Sequence, residues 1–203
     1  MSLDQDWIKA YKIFGQYIQL DGSGPRKEPT AKQLIFAKKV LRRCIQTTGL
    51  STSHMFILGK VAQRENRFKR AVKHFCNMYE LILPKLETES PGDSKDQLQM
   101  VASTAAREAS ICAFHTGDCE MAVDMAERAS DLDSNDYGLQ VNRALAHLLA
   151  GRPQRALNIL DRFKEELKDD VPARNIREVI GDVLNGKIKC PYTVADLEDY
   201  DNE

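Results

Sequence analysis

Three side chains with an affinity for soft metals fall close together in the chain: Cys112, His115 and Cys119. Residues three apart share one face of a helix, so Cys112 and His115 would point the same way while Cys119 opens the next helix. Three such groups could hold zinc, but a structural zinc site takes four ligands, and no fourth is close in sequence. Cysteine is also a common core residue, so packing is the expectation and no metal is predicted. His74 and Cys76 are two apart and face different ways on a helix. His54 and His147 read as cap or packing histidines. The chain has no glycine-rich phosphate loop, no Gly-x-Ser-x-Gly elbow and no His-Glu-x-x-His pair. Gly22-Ser23-Gly24 is no more than a turn, and the carboxylates are too evenly spread to single out an acid–base pair. No catalytic residue, cofactor or small-molecule substrate is predicted, and the chain reads as non-enzymatic.

Basic residues form the second constellation. Lys38, Lys39, Arg42 and Arg43 fall in one amphipathic run, and Arg67, Lys69, Arg70 and Lys73 in an equivalent run further on. Two stacked helices would bring them together as a basic ridge. The balanced net charge of −1 hides a split: residues 1–85 carry 16 basic and 6 acidic side chains (+10), and residues 86–203 carry 13 and 24 (−11). That polarity suits an acidic protein partner at the first half, or head-to-tail association of copies into a homo-oligomer. Nucleic-acid phosphates would also favour the ridge, but aromatic interleaving is absent and the chain as a whole is not basic, so nucleic acid is not expected.

Positioning these residues requires a folded body. The 203 residues include 42% hydrophobic side chains, an ordinary globular value. No stretch approaches the roughly 18 apolar residues of a membrane span, so no membrane association is predicted. The opening Met1-Ser2-Leu3-Asp4 does not look like a signal peptide, and five cysteines without framework spacing fit a reducing compartment; a cytoplasmic location follows as an expectation. Periodicity and stop signals predict helices near 4–19, 31–47, 52–65, 68–83, 98–115, 118–131, 137–150, 153–168 and 172–184. Thr30, Ser51 and Asp170 are the expected N-caps, and Gly49, Gly117, Gly151 and Gly186 the expected stops.

The helices recur. Ala37, Ala71, Ala122 and Ala156 each begin an amphipathic run, at separations of 34, 51 and 34 residues. The middle separation is one period plus an insertion, which the turn-forming stretch Thr88–Asp96 would supply. A 34-residue period is the tetratricopeptide spacing. In residues 103–136, Gly117 stands at the inter-helix turn, Ala122 and Ala129 at two small-residue slots, and Ser134 where a proline is usual. In residues 52–85, Leu58-Gly59, Ala62 and Pro84 match the first helix and the close of the unit. Residues 137–170 supply Ala144, Gly151, Ala156, Leu160 and Phe163. On these residues the chain resembles the tetratricopeptide repeat family over about 4–170.

The resemblance implies an all-α fold: a right-handed α-solenoid of TPR-like helical hairpins. Units fall at about 4–49, 52–85, 103–136 and 137–170, and a capping helix at 171–185 completes an array over 1–187. Departures are the long first-unit loop Asp21–Pro29, and Gln140, Arg143 and His147 on slots usually apolar or aromatic. In the capping helix, Ile176, Val179, Ile180 and Val183 make one apolar face, as the open end of a repeat stack requires. Residues 188–203 read as an acidic, flexible tail.

The family works through its concave groove, and the implied function is a scaffold that binds a peptide or helix of a partner protein there. The groove register gives Phe56, Lys60, Gln63 and Arg64 in the second unit. Arg107, Ile111 and Phe114 follow in the third, and Val141, Leu145, Leu148 and Leu149 in the fourth. The last four form an apolar stripe. It would hold a partner helix, be covered by Tyr192, Val194 and Leu197 of the tail, or pack between helices. The lysine–asparagine clamp of the chaperone-binding members is not matched: Phe56, Lys60, Glu108, Gly138 and Asn142 stand at its positions. Homotypic assembly and a small secretion-type chaperone are the alternative functions.

Overall fold

Short-range chemistry sets the helix starts. Thr30, Ser51 and Asp170 each accept a hydrogen bond from the backbone amide three residues on, at Gln33, His54 and Ala173, satisfying one of the orphan donors of a first turn. Gln33 and His54 answer by accepting from the cap backbone, at 2.7 Å from Thr30 N and 3.3 Å from Ser51 N, which closes a capping box. Gly117 and Gly151 turn the chain between paired helices at φ of 71° and 73°, where a β-carbon is strained.

The structure is a computed structural model that describes residues 3–18 and 28–191. Most of the expected Asp21–Pro29 loop, and the tail with Tyr192, Val194 and Leu197, lie outside the described residues. Among the described residues the fold is all-helical: α1 (Leu3–Ile18), α2 (Ala31–Thr48), α3 (Thr52–Arg64), α4 (Phe68–Thr88), α5 (Asp93–Phe114), α6 (Cys119–Leu132), α7 (Tyr137–Leu149), α8 (Pro153–Arg162) and α9 (Val171–Leu184). None of these helices is long and apolar enough to cross a membrane.

Three helix boundaries differ from the pattern. Pro84 does not close α4 but lies inside it; Ile82 and Leu86 on either side are buried, and Thr88 Oγ1 donates to the Pro84 carbonyl at 3.0 Å in the last turn. Burial on both sides outweighs the missing amide. The expected insertion Thr88–Asp96 shrinks because α5 starts at Asp93; Asp93 and Asp96 sit in its first turn, where the helix dipole favours carboxylates. Conversely α8 ends at Arg162, and Phe163–Asp169 form turns.

The chain divides into two compact units, Met1–Met78 and Tyr79–Glu203. In the first, α1 packs on α2 and on α3. Its core holds Ala10, Phe14, Ala37, Leu41, Ile57 and Val61, with Trp7 packed against it. The Trp7 ring meets His54 edge-on at 5.2 Å between centroids. The first half of α4 lays Phe75 against Gly59 and Phe56 of α3; the two phenyl centroids are 6.2 Å apart.

In the second unit each helix from α5 to α9 packs on the next, and α7 also packs on both α5 and α9. The packed pair α5 and α6 is rich in buried methyl groups: Ala102, Ala105, Ala106, Ala109 and Ala113 on α5, and Ala122, Ala126 and Ala129 on α6. Small residues let two backbones approach closely. Ser110 ties the seam to α7, donating to the Ala122 carbonyl at 2.8 Å and accepting from Asn142 Nδ2 at 3.2 Å. The core beyond it joins Val141, Ala144 and Leu148 of α7, Ile159 and Leu160 of α8, and Ala173, Ile176, Val179 and Ile180 of α9. Val183 packs at its edge.

Candidate functional site

Within the first unit, two helices from the basic ridge converge on one cavity of about 300 Å³. Its floor is apolar and comes from three helices: Phe14 of α1, Leu41 and Ile45 of α2, and Leu58, Val61 and Ala62 of α3. Its rim is cationic: Lys38 and Arg42 from α2, and Arg67, Arg70 and His74 from the α4 side. Arg42 follows Lys38 by four residues. Arg70 and His74 follow Arg67 by three and seven. One face of each helix thus presents its charges inward.

Electrostatic pairing at the rim is incomplete. The one acidic liner among the described residues, Glu65, lies 2.6 Å from Lys38 Nζ and 3.4 Å from Arg67. It caps the C-terminus of α3, and Asn66, which follows, turns the chain into α4 at φ 56°. The side chains of Arg42 and Arg70 have no hydrogen-bond or ion-pair partner among the described residues. Burial lowers the proton affinity of His74, and the charges of Arg70 and Lys73 lower it further; His74 is neutral at neutral pH. An apolar floor under unneutralised guanidinium groups fits an occupant that joins an apolar group to negative charge.

Of the eight ridge residues, Lys38, Arg42, Arg67 and Arg70 line this cavity, whereas Lys39, Arg43, Lys69 and Lys73 are exposed and do not. His74 was not among the expected site residues. Its place four residues after Arg70, on the same face, is the signal that finds it.

The expected groove residues fare differently. Lys60 Nζ donates to Gln63 at 3.1 Å. Arg64 pairs with Glu28, and its guanidinium stands 4.8 Å from the Tyr17 ring centroid. Phe56 is half-buried against Phe75. In the second unit Arg107 is exposed and Ile111 half-buried. Phe114, Val141, Leu148 and Leu149 are buried, the last two completely, and Leu145 packs at the same core. The apolar stripe is therefore not a free surface: Val141 and Leu148 meet the apolar sides of α8 and α9, which fill the space a partner would need.

The polar residues of α7 point inward too. Gln140 is buried; its Oε1 accepts from Ser130 at 3.1 Å and its Nε2 donates to the Ser134 carbonyl at 3.2 Å. His147 is fully buried, with Nε2 at 3.1 Å from Glu127 Oε1. A carboxylate only accepts, so Nε2 carries the hydrogen. The same oxygen receives Arg155 at 3.0 Å and lies 3.7 Å from Arg143. Burial lowers the proton affinity of His147 and the Arg155 charge adds to this, against the opposing pull of Glu127. Arg143 Nε and His147 Nδ1 have no hydrogen-bond partner among the described residues. A second cavity, of about 250 Å³, opens beside this cluster between Ser130, Gln140, Arg143, Arg162 and Phe163.

The three residues with soft-metal affinity are set differently. Cys112 is buried and His115 exposed, and among the described residues no three His, Cys, Asp or Glu side chains could share an ion. No protein-family model, curated protein or solved structure matches the chain.

Proposed function

We propose that this protein is a non-catalytic interaction module, a TPR-like helical scaffold that holds a segment of a partner protein. The packing of alternate helices, α5 on α7 and α7 on α9, supports a stack of hairpins in which α9 covers the open end. The binding surface, on this reading, is the basic cavity of the first unit rather than the apolar stripe. The observation that carries it is the pair of guanidinium groups of Arg42 and Arg70, unpaired among the described residues, above an apolar floor. Charge at such a rim steers an acidic partner and sets its register, and the apolar floor holds it. A cytoplasmic setting belongs to the same proposal.

The test is a photo-crosslinking amino acid at position 39 or 73, beside the cavity but outside its lining, followed by mass spectrometry of the adducts. The expected adducts are to acidic segments of another protein, and they disappear when Arg42→Gln and Arg70→Gln are introduced. Adducts indifferent to those two substitutions, or none, overturn the reading.

A further inference from the structure

A segment of matching chemistry is written in this chain. The run Asp196–Glu203 holds five carboxylates in eight residues, no base, and two large side chains, Leu197 and Tyr200, three apart. It joins apolar groups to negative charge, as the floor and rim of the cavity require. We propose that the cavity receives the acidic run 196–203 of a second copy, so that copies join head to tail.

Three observations support this contact. The rim has guanidinium groups to spare: Glu65 serves Lys38 and Arg67, while Arg42 and Arg70 are unpaired among the described residues. The floor contributed by Phe14, Leu41, Leu58 and Val61 is apolar enough to accept a leucine or tyrosine side chain. The chain carries +10 over residues 1–85 and −11 over residues 86–203, so an approaching copy is drawn in the same orientation. Each copy offers one cavity and one run, so the contact is heterologous and extends or closes into a ring. An eight-residue segment buries less than the roughly 800 Å² per partner of a stable interface. The association is therefore weak and sensitive to salt.

This proposal uses the same cavity as the partner-binding reading but is tested without any partner. Sedimentation velocity is run on the purified full chain at about 0.01 M and about 1 M ionic strength, between which the screening length falls from about 30 Å to about 3 Å. The wild type should form concentration-dependent oligomers at low salt and sediment as a monomer at high salt. Two variants are then compared. One carries Arg42→Gln and Arg70→Gln; the other carries Asp196→Asn, Glu198→Gln, Asp199→Asn and Asp201→Asn. Each alone should be monomeric, with an unchanged helical circular dichroism spectrum. Mixed, they should form a dimer that stops at two copies, because only one intact cavity and one intact run remain. A wild type that is monomeric at every concentration overturns the proposal, whether the run then folds back on its own chain or the cavity serves a foreign segment. Variants that associate as well as the wild type overturn it too. In either case the crosslinking experiment still decides the partner-binding reading.

Discussion

Phe75 occupies the place where a side chain on Gly59 would stand: a β-carbon built there falls 2.6 Å from two of its ring carbons. Phe75 is completely buried, so the ring has no open side to move into. Gly59→Ala gains about 1 kcal/mol of helix propensity but overfills a packed core, which costs typically 1–3 kcal/mol. The expected result is a net loss of about 1 kcal/mol, read as a lower urea midpoint with an unchanged slope. A gain in stability would mean that the ring yields.

Glu65 and Arg70 line the same cavity but should respond unequally to neutralisation. Glu65→Gln leaves Lys38 and Arg67 without their carboxylate. Glu65 is only 19% exposed, so the expected loss is about 1–2 kcal/mol, between a surface pair and a buried charged hydrogen bond. Arg70→Gln removes a cation that has no partner among the described residues and relieves its repulsion of its neighbours. Its effect should stay within about 0.5 kcal/mol. Thermal melts of the two variants side by side check this.

Stability should fall on mild acidification. The folded chain holds His147 below its unfolded proton affinity, by burial and by Arg155, and holds His74 below it by burial and by Arg70 and Lys73. Below about pH 6.5 the unfolded state takes up these protons first, so folding stability is full above that pH and declines below it until the folded histidines also titrate. His147→Gln should flatten the decline between pH 7.5 and 5.5 but leave the contribution of His74. An equally steep decline in the variant would remove His147 from the account.

Ser110 is buried and couples three helices through the Ala122 carbonyl and Asn142. Ser110→Ala keeps the small size that the seam needs but leaves the Asn142 amide short of an acceptor. The expected cost is about 1 kcal/mol, and Asn142→Ala in the same background should add less than it does alone. A double-mutant cycle by chemical denaturation measures that coupling.

The helices were legible because their signals are local. Thr30, Ser51 and Asp170 cap through atoms within three residues, and periodicity marked the apolar face of α9. Half the cavity was legible for the same reason, since Lys38 and Arg42, or Arg67 and Arg70, share a helix face by spacing alone. The floor was not. Phe14, Leu58 and Val61 come together only through the crossing of α1 with α3, which no local pattern encodes. Leu148 and Leu149 failed as surface residues for a related reason: an apolar face looks the same whether the fold covers it or leaves it bare. Pro84 read as a terminator because its local penalty is large, yet burial of Ile82 and Leu86 carries α4 through it.

The methyl-lined seam of α5 and α6 limits how this protein can change. Eight alanines of these two packed helices have no exposed surface, so an added carbon at any of them enters a filled interior. That hairpin is a spacer of fixed width. On the proposed function, drift in partner choice would come from single exchanges on exposed rims, where a charge can be swapped without disturbing the frame beneath it.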